Sequence, residues 1–199
     1  LLYDPAAKTI IESKSLPGAQ AQQFVDAARL YGLHLELYSD TTYFSEQKTP
    51  YTDYHTSYLK ASPEIFSLDS ICQTTSLYKA LLAAGTEAEK RAVEQFRQAF
   101  TNLRFYTGHG PDRPDIDFIS VLDEKACKQR AFASLCEYHN VSAQEVMAIG
   151  DAQSDIAFIQ LAGTGVAMGN ASDEVKACAD FITAHVDNDG LAIALDSLA

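Results

Sequence analysis

Asp151 and Asp155, four residues apart, carry the spacing in this chain that most directly suggests chemistry. The apolar run Val146 to Ile149 reads as a buried strand, Gly150-Asp151 as a turn, and a helix-like segment opens at Gln153. A strand that stops at Gly150 leaves Asp151 at its carboxyl end, where ligands bind in open α/β sheets. A spacing of four is one helical turn, so both carboxylates can face the same space above the strand. Two hard oxygen ligands there suit magnesium, which keeps several waters and takes only one or two carboxylates. The same spacing also allows Asp151 to cap a helix and Asp155 to sit in its first turn, where the dipole favours negative charge.

The elements around this pair read as alternating strands and helices. Leu161-Ala-Gly-Thr-Gly ends a helix, Val166 to Met168 is a short strand, and Ser172-Asp173-Glu174 starts another helix. Upstream, Ala126 to His139 is a helix with Ala126, Ala131, Phe132, Leu135 and Cys136 on one face. Lys128 and Arg130 lie near its start, a position that the dipole disfavours for cations, so a nearby anion is expected.

The amino-terminal half reads as a second layer. Leu1 to Tyr3 and Thr9 to Glu12 flank the turn Asp4-Pro5-Ala6-Ala7 as a hairpin. A helix spans Ala19 to Tyr31 and closes at Gly32. Leu33 to Tyr38 alternates, with Leu33, Leu35 and Leu37 inward and His34, Glu36 and Tyr38 on a wet face; Thr41 to Ser45 is its partner. Helices are expected at Pro50 to Lys60, from Ser62-Pro63-Glu64, and at Glu87 to Thr101, where Ala88, Val93, Phe96 and Phe100 form an apolar stripe. Strands are expected at Ser76 to Ala83, Leu103 to Tyr106 and Ile116 to Leu122, the last two joined by the breaker-rich loop GHGPDRPD. Such a succession implies an α/β layer with mixed or antiparallel pairing.

Composition narrows the function classes. With 15 Lys and Arg against 27 Asp and Glu, the net charge of -12 argues against nonspecific binding to nucleic acid or an anionic membrane. The 47% hydrophobic content is that of a globular protein, and no apolar run approaches the roughly 20 residues of a membrane span. Cys72, Cys127, Cys136 and Cys178 are scattered without CxxC spacing, as expected of reduced thiols in a cytoplasmic protein.

GDAQSD, GTGVAMGNASDEVKACADFITA and DNDGLAIAL resemble, in order and spacing, the carboxyl-terminal third of the Cof-type phosphatases, a branch of the haloacid dehalogenase-like hydrolases. LLYDPAAKTIIESKSL resembles the hairpin that precedes the cap in that family. The resemblance implies a Rossmann-like core with a parallel sheet, formed here by residues 1–16 and 114–199, and an inserted α/β cap at 17–113 that selects the substrate. It implies a Mg2+-dependent phosphatase of small phosphorylated metabolites, sugar phosphates or similar, working through an aspartyl-phosphate. Asp151 is then the metal ligand and Asp155 its partner, as ligand or as support. Lys128 is the phosphate-stabilising cation, and Ser154 stands where the family has a phosphate-reaching asparagine.

The chain also departs from that pattern. Both glycines that flank the family's lysine are absent around Lys128. The nucleophile motif Asp-x-Asp-Gly-Thr is absent too: neither Asp115-Ile116-Asp117 nor Asp187-Asn188-Asp189 follows a strand and precedes Gly-Thr. The nucleophile segment is therefore expected upstream of Leu1. Without it the chain alone is expected to be inactive, with an incomplete core sheet prone to self-association. The alternative is a degenerate, non-catalytic module of the same fold that binds a ligand or partner.

Overall fold

The computed structural model describes residues 1–110 and 112–198, apart from the side chain of residue 198. The chain forms two compact units, residues 13–126 and residues 2–12 with 127 onward. The hairpin is as expected: β1 (Leu2–Asp4) pairs antiparallel with β2 (Thr9–Glu12), and Asp4 accepts the amides of Ala6 and Ala7 in the turn.

The first unit runs through α1 (Gly18–Tyr31), β3 (His34–Tyr38), β4 (Tyr43–Ser45), α2 (Pro50–Leu59), β5 (Glu64–Ile65) and α3 (Leu68–Thr74). It continues with β6 (Lys79–Ala84), α4 (Glu87–Ala99), β7 (Leu103–Gly110) and β8 (Arg113–Asp123). Gly32 closes α1 at φ 66, with the Leu33 amide returning to the Ala28 carbonyl at 2.8 Å; a left-handed stop of this kind suits glycine. Thr49 and Thr86 begin α2 and α4 with capping boxes, each satisfying amides that a helix start leaves free.

Six strands pair in the order β5-β4-β3-β6-β8-β7, all antiparallel except β4 with β5. Leu35 and Leu37 of β3, Leu82 of β6 and Ile119 and Val121 of β8 join Phe24 of α1 and Phe96 of α4 in one core. Phe24 and Phe96 are fully buried, with ring centroids 5.8 Å apart.

Several expectations for this unit change. No helix starts at Ser62: Glu64 and Ile65 pair with Phe44 and Ser45 instead, and the helix follows at Leu68. The GHGPDRPD connection is mostly strand, because β7 and β8 stay paired up to Gly110 and Arg113; its residue 111 lies outside the described residues. The boundaries at 17 and 113 shift to 13 and 126. Leu16 is buried and bonds through its amide to the Leu77 carbonyl, and β8 is hydrogen-bonded on both sides, so neither can belong to another unit. The polar face of β3 is not wet either: Glu36 is wholly buried beneath His55 of α2.

The second unit contains, besides the hairpin, α5 (Lys128–His139), β9 (Met147–Gly150), α6 (Ile156–Leu161), β10 (Thr164–Ala167), α7 (Asp173–Lys176), β11 (Phe181–Ile182) and α8 (Gly190–Leu198). Its three longer-range strands pair in parallel in the order β11-β10-β9, so the expected parallel sheet is present. A small core gathers Ile159, Ala167, Ala171 and Val175. The hairpin is tied to α5 by Arg130 Nε to Glu12 Oε1 at 2.7 Å and by the Tyr138 hydroxyl, which donates to Asp4 Oδ2 at 2.8 Å. The helix-like segment expected to open at Gln153 does so as a 3-10 turn, Gln153–Asp155, that runs directly into α6. Among the described residues no helix is long and apolar enough to cross a membrane.

Candidate functional site at the carboxyl end of β9

Strand β9 ends at Gly150, and the backbone there comes too close to Asp155 for any side chain. A Cβ on Gly150 would stand 2.5 Å from the Asp155 Cβ and 2.8 Å from Oδ2. Asp155 is 3% exposed. Its Oδ2 accepts the amides of Asp151 at 3.1 Å and Ala152 at 3.0 Å, while Oδ1 forms an ion pair with Lys128 Nζ. Burial alone pushes this carboxyl's pKa up, but the lysine hydrogen bond and the two amides together hold it below the ordinary value. The anion expected near the start of α5 is therefore Asp155.

Lys128 is the first residue of α5, and its side chain remains 54% exposed despite the ion pair. The ammonium lies 5.8 Å from the centroid of the Phe158 ring. Ser154 brings its hydroxyl to 3.5 Å from Asp155 Oδ1.

Asp151 differs from Asp155. It is exposed, and its Oδ2 accepts one hydrogen bond, from Asn170 Nδ2 at 3.0 Å. Asn170 also accepts the Val186 amide on Oδ1 at 3.1 Å, which fixes its orientation. The turn amides draw Asp155 inward, whereas the Asp151 carboxylate stays exposed. Asn170 carries no role in the sequence reading. The available signal was its place just beyond β10, the strand next to β9 in a parallel sheet.

Among the described residues no three His, Cys, Asp or Glu side chains gather as a metal cage. A divalent ion such as magnesium does not require one, since water and substrate oxygens complete its shell around one or two carboxylates. Asp151, whose Oδ1 has no hydrogen-bond partner among the described residues, fits as part of such a donor set. The two Asp-x-Asp sequences are occupied otherwise. Asp115 pairs with Arg113 and Asp117 with His109 at 2.9 Å, while Asp187 to Asp189 form the turn before α8.

The polar residues of the first unit turn toward one another. His34, His55 and Tyr38 all bond to Glu36, at 3.2, 2.8 and 2.7 Å. Burial pushes the Glu36 carboxyl up, but these hydrogen bonds outweigh it and bring the pKa to about 2. The Tyr38 phenol moves upward, through burial and then through Glu36. Tyr43 donates to the Ala61 carbonyl at 2.7 Å.

Known proteins share this architecture. A solved haloacid dehalogenase-like hydrolase from Bacteroides thetaiotaomicron superposes with a TM-score of 0.83 at 23% identity, over 98% of this chain and 71% of that one. Pyridoxal phosphate phosphatase YbhA of Escherichia coli is 26% identical over 201 residues, 96% of this chain and 71% of the relative. The 5-amino-6-(5-phospho-D-ribitylamino)uracil phosphatase YwtE of Bacillus subtilis is 29% identical over 106 residues, 53% of this chain and 37% of its own length. The chain spans between 24% and 48% of the length of three of the curated relatives it matches. The sequence profile of the haloacid dehalogenase-like hydrolases matches residues 2–195. With nearly every residue inside that match and a parallel sheet ending in the Asp151 turn, the chain belongs to the haloacid dehalogenase-like hydrolase family.

Proposed function

We propose that this chain supplies the cationic and metal-binding side of a Mg2+-dependent phosphatase acting on small phosphorylated metabolites, sugar phosphates or similar. The observation that carries the reading is the pairing at the end of β9 of a half-exposed lysine, fixed by a buried aspartate, with a separate exposed aspartate. Asp155 takes the supporting role: its two oxygens hold the turn amides and the Lys128 ammonium. Lys128 offsets charge on the phosphoryl group, and the Ser154 hydroxyl adds one donor. Asp151 holds the metal and Asn170 holds Asp151. When bound, Mg2+ supplies positive charge between two groups that would otherwise repel.

The aspartate nucleophile and its neighbouring acid come from a segment outside these 199 residues. We assign a strand carrying them to the margin of β9 away from β10, which pairs with no strand among the described residues. The chain alone is inactive on this reading.

The test joins the chain to an Asp-x-Asp strand of the family and measures phosphatase turnover. Asp151→Asn and Lys128→Met are each expected to lower kcat by about a hundredfold or more, with an unchanged circular dichroism spectrum. Parent-like turnover in Asp151→Asn overturns the assignment. Ser154 rests against Asp155, which favours a second reading, a fold that binds phosphate esters without hydrolysing them. That reading predicts saturable binding and no turnover in the joined protein.

A further inference from the structure

The six-stranded sheet of the first unit has two unlike faces. One is the aliphatic face packed on α1 and α4. The pairing registers define the other, because side chains directly across a ladder share a face. One row reads Glu36, Leu81, Ser120, Tyr106 across β3, β6, β8 and β7; the next reads His34, Ala83, Phe118, Gly108; and Tyr38 stands opposite Lys79. Helix α2 covers the β3 end of this face through His55, and over β6, β8 and β7 a cavity of about 340 Å³ remains.

Aromatic rings form much of its wall. Phe118 lies parallel to Tyr54, with centroids 5.7 Å apart, and 5.2 Å from the His55 ring; Tyr106 and Ser120 face the same space. Gly108 keeps the space open, since a Cβ there would meet nothing within 4 Å. Gly110 admits Tyr54, whose hydroxyl would stand 1.7 Å from a Cβ at that position.

Lys79 supplies the charge. Lys79 is one of the residues that line the cavity; its ammonium lies 4.2 Å from the centroid of the Tyr38 ring, and among the described residues it forms no ion pair. The nearby Glu36 carboxylate is committed to three donors. Burial pushes the lysine's pKa down, which reflects the cost of a desolvated cation, and the field of Glu36 opposes that shift. An anion placed against the ammonium removes the cost.

We propose that this cavity is a binding site for a planar aromatic ring bearing one anionic group, with the ring against Phe118 and Tyr106 and the anion on Lys79. Apolar walls with one or two placed polar groups are the usual make-up of a small-molecule site, and the volume suits one substituted ring. The proposal rests on the first unit alone and stands independently of the phosphatase reading.

Calorimetric titration of the whole chain with 4-nitrobenzoate tests it, with 3-nitrobenzoate as a second aromatic anion and 4-nitrobenzamide and acetate as controls. One-to-one binding of both aromatic anions is expected, at least tenfold tighter than the neutral amide or the ringless acetate. Lys79→Met is expected to weaken 4-nitrobenzoate at least tenfold and leave the amide unchanged. Gly108→Leu, which fills the cavity without touching the core, is expected to abolish both. Equal affinity in Lys79→Met or Gly108→Leu, parity of acetate with 4-nitrobenzoate, or no saturable binding overturns the proposal.

Discussion

Helix α4 of the first unit buries Val93 and Phe96 in a core that its sheet and α1 complete, whereas α5 of the second unit buries no residue fully. The difference does not come from composition. Helix α5 also carries an apolar face, with Ala131, Phe132 and Leu135, but that face lines an open groove of about 330 Å³ along Val146 to Ile149 of β9. Parallel strands are ordinarily covered on both faces and flanked by neighbours. The first unit closes one aliphatic core between its sheet, α1 and α4 and gives the buried Glu36 three partners; among the described residues the second leaves a strand margin and a groove exposed. The residues assigned to phosphate chemistry all lie in the open unit, which is why we read its site as one to be completed by another strand.

The largest effect expected from breaking this comparison lies in the closed unit. Replacing Glu36 by Ala leaves His34, His55 and Tyr38 without their shared acceptor, at a cost of about 3 kcal/mol in urea unfolding. Acid probes the same carboxylate. Because its folded pKa of about 2 lies below the ordinary glutamate value of 4.5, its stabilisation is complete above pH 4.5 and declines as pH falls toward 2. The Glu36→Gln protein is expected to lose that part of the acid dependence. A parent-like acid titration in that variant would place the sensitivity elsewhere.

A smaller effect is expected at the lysine's support. Asp155→Asn removes the charge that holds Lys128 and weakens the turn after Gly150, costing about 1 to 2 kcal/mol. Lys128 is half exposed, so its coupling to Asp155 in a double-mutant cycle with Lys128→Met is expected to stay below about 1 kcal/mol. Coupling of several kcal/mol would mark the pair as a structural ion pair.

The smallest effect belongs to the groove. Leu135→Lys is expected to leave stability within about 0.5 kcal/mol of the parent and to reduce self-association measured by sedimentation. A loss above about 2 kcal/mol would show that α5 is packed as tightly as α4.

Most of the fold could be read from local signals. The helix expected over Ala19 to Tyr31 with its Gly32 stop, the helix from Pro50 and the strand before Asp151 all follow from local signals and apolar periodicity. The errors share a cause, a tertiary partner that local sequence does not reveal. Ser62-Pro63-Glu64 has a helix-start pattern, but β4 offered an edge to Glu64. The alternation of β3 placed Glu36 on the correct face, but the residue that covers it, His55, lies 19 positions away. In the site, Asp151, Ser154, Asp155 and Lys128 were named from sequence, and the structure brings Lys128 to Asp155. The inward turn of Asp155 was not readable, because it depends on amides freed by the turn itself.

Whether Asp151 is the carboxylate that takes the metal is decided by titrating the 15N-labelled chain with Mn2+ and following paramagnetic broadening of its amides. Broadening is predicted to appear first at Gly150, Asp151, Ala152 and Asn170, to be displaced by Mg2+, and to vanish from these four in Asp151→Asn. Broadening that begins at another acidic cluster, or that persists at these amides in Asp151→Asn, would contradict that assignment.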